Sequence, residues 1–143
     1  MRLTRFTDNA LRCLTYLGLH ESEISTVTDV ARRMSMSEDH LMKVVQRLAA
    51  LGYVETIRGR NGGVRLAQDP AEIRIGTVVR QTEDNLNLVE CFDAELNTCP
   101  IATSCRLASA LDEALSAFLA VLDKYTLRDL LQQPRRLERL LRA

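Results

Sequence analysis

Apolar residues recur along the chain with two different periods, and each period predicts its own kind of element. In TDNALRCLTYLGLH, residues 7–20, Ala10, Leu11, Leu14, Leu17 and Leu19 follow Thr7 and Asp8. A helix is expected there, with Thr7 and Asp8 as N-cap and first-turn acid. Val27, Val30, Ala31 and Met34 predict a second, shorter helix that ends at SMS. A third begins at once, with Ser37 as N-cap, Leu41, Val44, Val45, Leu48 and Leu51 as its apolar stripe, and Gly52 as its stop. Two helices joined by a short turn make the helix-turn-helix pattern. Beyond Gly52 the period changes: YVETIRGRNGGVRLA has β-formers on both sides of RNGG, and Asn61-Gly62 signals a hairpin. A hairpin placed after a recognition-type helix is a wing. Residues 1–83 are therefore expected to form a winged helix-turn-helix DNA-binding domain, with the helix-turn-helix at about 27–51 and the wing at about 54–67. IRIGTVVRQTE closes the unit with a short strand or turn and a brief helix to about Glu83.

Residues 84–104 show no period and are expected to be a loop. From 105 to 125 a long helix returns, with Leu107, Leu111, Ala114, Phe118, Val121 and Tyr125 on one stripe and Leu115, Leu119 and Leu122 on its neighbour. So broad an apolar surface predicts that one face covers the winged helix while the other packs on a second subunit, giving a homodimer. Residues 126–143 read as two short helices, Thr126 capping the first and Pro134 separating them. The fold class is mainly α.

Composition narrows the class further. Of the 143 residues, 46% are apolar and none is tryptophan, which suits a helical interior of Leu, Val and Ala. MRLTRFTDNALRCL lacks the apolar core of a signal peptide and no stretch approaches a membrane span, so a soluble, cytoplasmic protein with no membrane partner is expected. Net charge is zero but unevenly spread: residues 1–65 carry ten basic against seven acidic side chains, residues 66–105 two against seven, and residues 106–143 seven against five. That distribution excludes a general nucleic-acid coat and leaves room for a local basic stripe.

Ser37, Asp39, His40 and Lys43 fall on the first turn and a half of the expected recognition helix, within reach of base edges, and Arg58 and Arg60 of the wing suit phosphates or a minor groove. A wing can also serve protein contacts, but helix, turn and arginine hairpin occurring in this order favour a double-stranded DNA operator. Asp39 repels phosphate and so acts as a discriminator. Cys13 lies among apolar helix positions and is expected in the core, whereas VECFDAELNTCPIATSC gathers Cys91, Cys99 and Cys105. Structural zinc usually needs a short Cys-Cys knuckle and four ligands, and neither histidine lies in this segment. A two-thiol redox switch and an iron-sulfur cluster with its fourth ligand elsewhere both remain open. No Cys-His pair is set up for nucleophilic catalysis, and GRNGG sits in a hairpin instead of a phosphate-binding loop, so an enzyme is not expected.

Taken together, RLTRFTDNALRCLTYL, MSEDHLMKVVQRLAALGYVETIRGRNGGVRLA, IRIGTVVR, LVECF, CPIATSCRL and AFLAVLDKYTLRDL resemble the bacterial iron-sulfur winged-helix regulators, in particular their nitric-oxide-sensing repressors, over roughly residues 1–131. The resemblance implies a homodimer that binds a palindromic operator and releases it when nitric oxide attacks the cluster, derepressing nitric oxide detoxification genes. By position it makes Cys91, Cys99 and Cys105 the cluster thiolates, with 4Fe-4S favoured over 2Fe-2S. It makes Asp8 the oxygen ligand, donated by the other subunit, and Arg12, one turn on, the residue that pairs with and positions it. Iron-responsive and cluster-assembly regulators of the same superfamily, or a cluster-free thiol-switch repressor, are the alternatives. Assembly regulators carry a histidine three residues after the last cysteine, where this chain has Ala108.

Overall fold

The computed structural model describes residues 2–142. Helix α1 (Arg5–Leu19) is followed by α2 (Val27–Arg33) and α3 (Glu38–Ala50), then the strands β1 (Val54–Ile57) and β2 (Gly63–Leu66), and α4 (Ile75–Thr82). After a stretch holding two single-turn 3₁₀ segments, Glu90–Phe92 and Ala102–Ser104, come α5 (Arg106–Leu122), α6 (Leu127–Leu130) and α7 (Pro134–Arg142). The order is that of a winged helix with helices appended.

Each helix of the winged unit buries one stripe. On α1 it comprises Thr7, Ala10, Leu14 and Leu17, and on α3 Leu41, Val44, Val45 and Leu48. These meet Val30, Val64, Ile73 and Val78 in one core. A buried Leu or Val contributes about 1.5–3 kcal/mol relative to exposure. Cys13 is fully buried here, and burial pushes its thiol up to about 12. Leu127 and Leu131 join the same core, so α6 packs on α1 although it is distant in sequence. Its entry is fixed by a capping box in which Thr126 and Asp129 exchange side-chain and backbone hydrogen bonds.

The caps differ from expectation at α1. Thr4, not Thr7, is the N-cap, its Oγ1 accepting from the Thr7 N–H at 3.2 Å, while Thr7 is wholly buried because it shares a helical face with Ala10, Leu14 and Leu17. Asp8 does lie in the first turn. Ser37 caps α3, Gly52 with φ +79° follows its end, and Pro134 opens α7, where a missing N–H costs no hydrogen bond. The expected hairpin forms: β1 and β2 pair antiparallel from Val54↔Leu66 to Ile57↔Gly63 around a five-residue loop, Arg58 to Gly62, whose left-handed residue is Gly59. Gly62 serves a close approach instead: a Cβ there would stand 2.2 Å from the Ile57 carbonyl oxygen. Ser25 adds a third pairing, bonding Val64 in both directions at 3.0 and 2.8 Å.

Helix α5 is tied to α4 at its C-terminal end. Arg80 of α4 grips Asp123 with two 2.7 Å hydrogen bonds, while none of the seventeen residues of α5 is buried. No helix among the described residues is long and apolar enough to cross a membrane.

Candidate functional site

The loop between α4 and α5 has no regular hydrogen-bond ladder, so side chains hold it. Glu90 accepts from both the N–H and the hydroxyl of Thr98, at 2.9 and 2.8 Å, and these bonds hold its carboxyl below the usual carboxylate range. Glu90 immediately precedes Cys91 and Thr98 immediately precedes Cys99, so this pair of bonds closes the loop that separates the two thiols. Asn97 Oδ1 then accepts the Cys99 N–H at 3.0 Å, and Asp93 Oδ1 accepts the N–H groups of Glu95 and Leu96 at 3.0 and 3.3 Å. These are Asx turns, in which a short side chain replaces a backbone partner.

Cys105 stands at the N-cap of α5, where the helix dipole favours negative charge. Cys91, Cys99 and Cys105 are all free and partly buried, and they line one hollow of about 510 Å³ together with Val89, Ile101, Leu107 and Leu111. Among the described residues, no three His, Cys, Asp or Glu side chains stand close enough to share a single metal ion. A multi-iron cluster asks for something different, since each thiolate binds its own iron. The donor set fits such a group: three soft thiols around an apolar hollow, with the one carboxylate in its lining, Glu90, engaged by Thr98.

Asp8 is not in that hollow. Its carboxylate lies 3.6 Å from Arg12 Nη1, and Arg12 Nη2 donates to the carbonyl of Met34, which ends α2. Asp8, Arg5, Arg12, Ser37 and His40 line a second hollow of about 460 Å³ between α1 and the turn leading to α3. Within one subunit the expected thiol ligands come together, and the expected oxygen ligand stands apart with its expected arginine.

On α3 the residues predicted to meet DNA divide. Asp39 and Lys43 are exposed, and so are Met42, Gln46 and Arg47, which continue the same surface and were not anticipated. Their signal was in the sequence, as the positions left over by the apolar stripe. Ser37 spends its hydroxyl on the His40 N–H at 3.5 Å. His40 turns inward: its ring stacks edge-on with Phe6 at 6.1 Å, and its Nε2 is buried without a hydrogen-bond partner. Arg58 and Arg60 are exposed on the wing loop, whereas Arg65 pairs with Glu55 across the hairpin at 2.5 Å.

The sequence pattern behind this geometry matches a family model described as Rrf2, iron-dependent transcriptional regulator, over residues 3–133. The chain belongs to the Rrf2 family. Among its relatives are the HTH-type transcriptional regulators NsrR of Bacillus subtilis, 54% identical over 99% of this chain and 98% of that one, and of Geobacillus kaustophilus, 57% identical over 99% and 97%. Similar solved structures include T. potens IscR, with a TM-score of 0.75 at 22% identity over 92% of this chain and 87% of that one. Another is CymR, the global cysteine regulator of B. subtilis, with a TM-score of 0.72 at 25% identity over 91% and 95%. Rrf2 membership makes the chain a transcriptional regulator and not an enzyme, and the resemblance read from its motifs agrees with the family found.

Proposed function

We propose that this Rrf2 protein is an iron-sulfur-dependent repressor, a homodimer that holds a palindromic operator and releases it on exposure to nitric oxide, so that nitric oxide detoxification genes are expressed. The observation that carries the reading is the lining of one hollow by three partly buried thiols at the start of a helix that buries none of its own residues. Full-length similarity to regulators named NsrR favours nitric oxide as the effector. When bound, a cluster, 4Fe-4S in preference to 2Fe-2S, supplies a redox-active and nitric-oxide-reactive centre with one iron open to a non-thiolate ligand.

The protein's own groups do the rest. Cys91, Cys99 and Cys105 bind as thiolates from one subunit, and Asp8 of the partner subunit completes the set. Arg12 positions Asp8 and, through the Met34 carbonyl, ties that position to the turn ahead of α3. The exposed apolar residues of α5, among them Leu107 and Val121, cover one another across the dimer axis. Lys43 on α3 and Arg58 and Arg60 on the wing face the operator, whose half-sites are spaced by about one DNA turn, roughly 34 Å. Removing the bridge between one subunit's loop and the other's α1 lets the two recognition helices lose that spacing.

Anaerobic native mass spectrometry with stepwise nitric oxide tests the reading. The expected result is a dimer carrying one cluster per subunit whose mass changes as nitric oxide is added, in parallel with loss of operator binding. A metal-free dimer that binds the operator tightly and ignores nitric oxide overturns it and leaves a thiol-switch repressor.

A further inference from the structure

The C-terminal end of α4 makes more long-range side-chain bonds than its length suggests. The Gln81 carbonyl accepts from Arg47 Nη2 of α3 at 3.1 Å, and Gln81 Oε1 accepts from the Tyr53 hydroxyl at 2.6 Å. Two residues on, Glu83 Oε1 accepts both the backbone N–H and the hydroxyl of Thr4, at 2.8 and 3.1 Å. Thr4 is the N-cap of α1. Its Oγ1 accepts the Thr7 N–H and its carbonyl accepts the Asp8 N–H at 3.0 Å, so the amides of the turn that presents Asp8 hang on Thr4, and Thr4 hangs on Glu83. At Glu83 the backbone becomes extended, with φ −77° and ψ 139°, and leaves α4 for the cysteine loop. The same residue is thus the last fixed point before the thiols and the grip on the helix that carries Asp8.

We propose that Glu83 is a positioning residue that couples the cysteine loop to the first turn of α1 within one subunit, with Gln81 extending the connection to α3. The inference rests on the function proposed above, since it supposes that rearrangement of the loop is what releases DNA. It adds a route inside each subunit to the bridge between subunits, and its central residues, Thr4, Gln81 and Glu83, are neither cluster ligands nor part of the DNA face. The Glu83 carboxylate acts on geometry: one of its oxygens accepts two hydrogen bonds from Thr4 that fix the cap, and a displaced loop withdraws them together. Thr4 then keeps its own bonds to α1 but loses the anchor that orients them.

The test uses the full dimer in its parent form and as Glu83→Ala and Glu83→Gln, with a palindromic duplex selected by the parent protein from a random pool. Amide exchange at Thr7 and Asp8 is followed in cluster-free protein, and duplex affinity is compared with and without cluster. Because a glutamine oxygen accepts the same two bonds, Glu83→Gln is expected to stay near the parent. Glu83→Ala, which loses both bonds, is expected to exchange about tenfold faster at both amides, a factor within the range for two ordinary hydrogen bonds, and to show a smaller affinity ratio between cluster-loaded and cluster-free protein. An unchanged ratio in Glu83→Ala overturns the proposal even where exchange rises, because the grip then passes nothing on. A parent whose affinity does not depend on the cluster removes the proposed function instead. In that case the coupling falls with it, and the parent's own affinity ratio distinguishes this outcome from failure of the coupling alone.

Discussion

Glu90 and Thr98 join the two arms of the cysteine loop one residue ahead of the thiols they align. Replacing Glu90 by Ala removes both bonds to Thr98 and is expected to raise the alkylation rates of Cys91 and Cys99 in cluster-free protein, leaving Cys105 near its parent rate. Peptide mapping after timed alkylation checks this, and rates that change equally, or not at all, at the three thiols would contradict it. The DNA face has its own test at this scale. Lys43→Ala or Arg58→Ala is expected to weaken operator binding by about 1–3 kcal/mol if the residue reads a base, measured as the shift in midpoint of a binding titration at fixed salt. The thiols were legible because three of four cysteines fall in one short segment with no helical period. Glu90 was not, since a carboxylate beside a cysteine reads as charge until its partner across the loop is known. Asn97 carried a local sign, an Asn two residues ahead of the amide it accepts.

Among the elements, the junction of α4 and α5 depends most plainly on charge. Its Arg80 hydrogen bonds hold the Asp123 carboxyl below the usual carboxylate range. A depressed folded-state value means that the stabilisation is present above the unfolded value, about 3.9 for Asp, and is lost as pH falls through the folded value. Asp123→Asn is therefore expected to melt at a lower temperature than the parent at neutral pH, with the gap closing below about pH 4. Thermal melts across that range check the sign; a gap that persists in acid would assign the loss to packing. The helices and strands were readable from period because each buries a single face. What period alone misplaced was the α1 cap, where Thr4 and Thr7 are both threonines and only the face of the helix separates them. The hairpin was readable from Asn61-Gly62 between β-formers, but the use of its glycines was not: Gly62 passes close to the Ile57 carbonyl, and the left-handed conformation falls to Gly59.

At the scale of the whole molecule, a core shared by α1, α3, the wing and α6 contrasts with an α5 none of whose residues is fully buried. The contribution of Leu127 and Leu131 to that core could not be read from sequence, since it depends on contact across more than a hundred residues. The four cysteines divide along the same line. Three partly buried ones belong to the loop, and Cys13, neutral at any physiological pH, lies in the core. Thiolates react and buried neutral thiols do not. The protein therefore carries a gauge of its own integrity: a thiol-counting reagent added to folded, cluster-free protein should register three groups, and the fourth should emerge only as the winged unit melts, so that one colorimetric trace separates damage to the loop from loss of the fold.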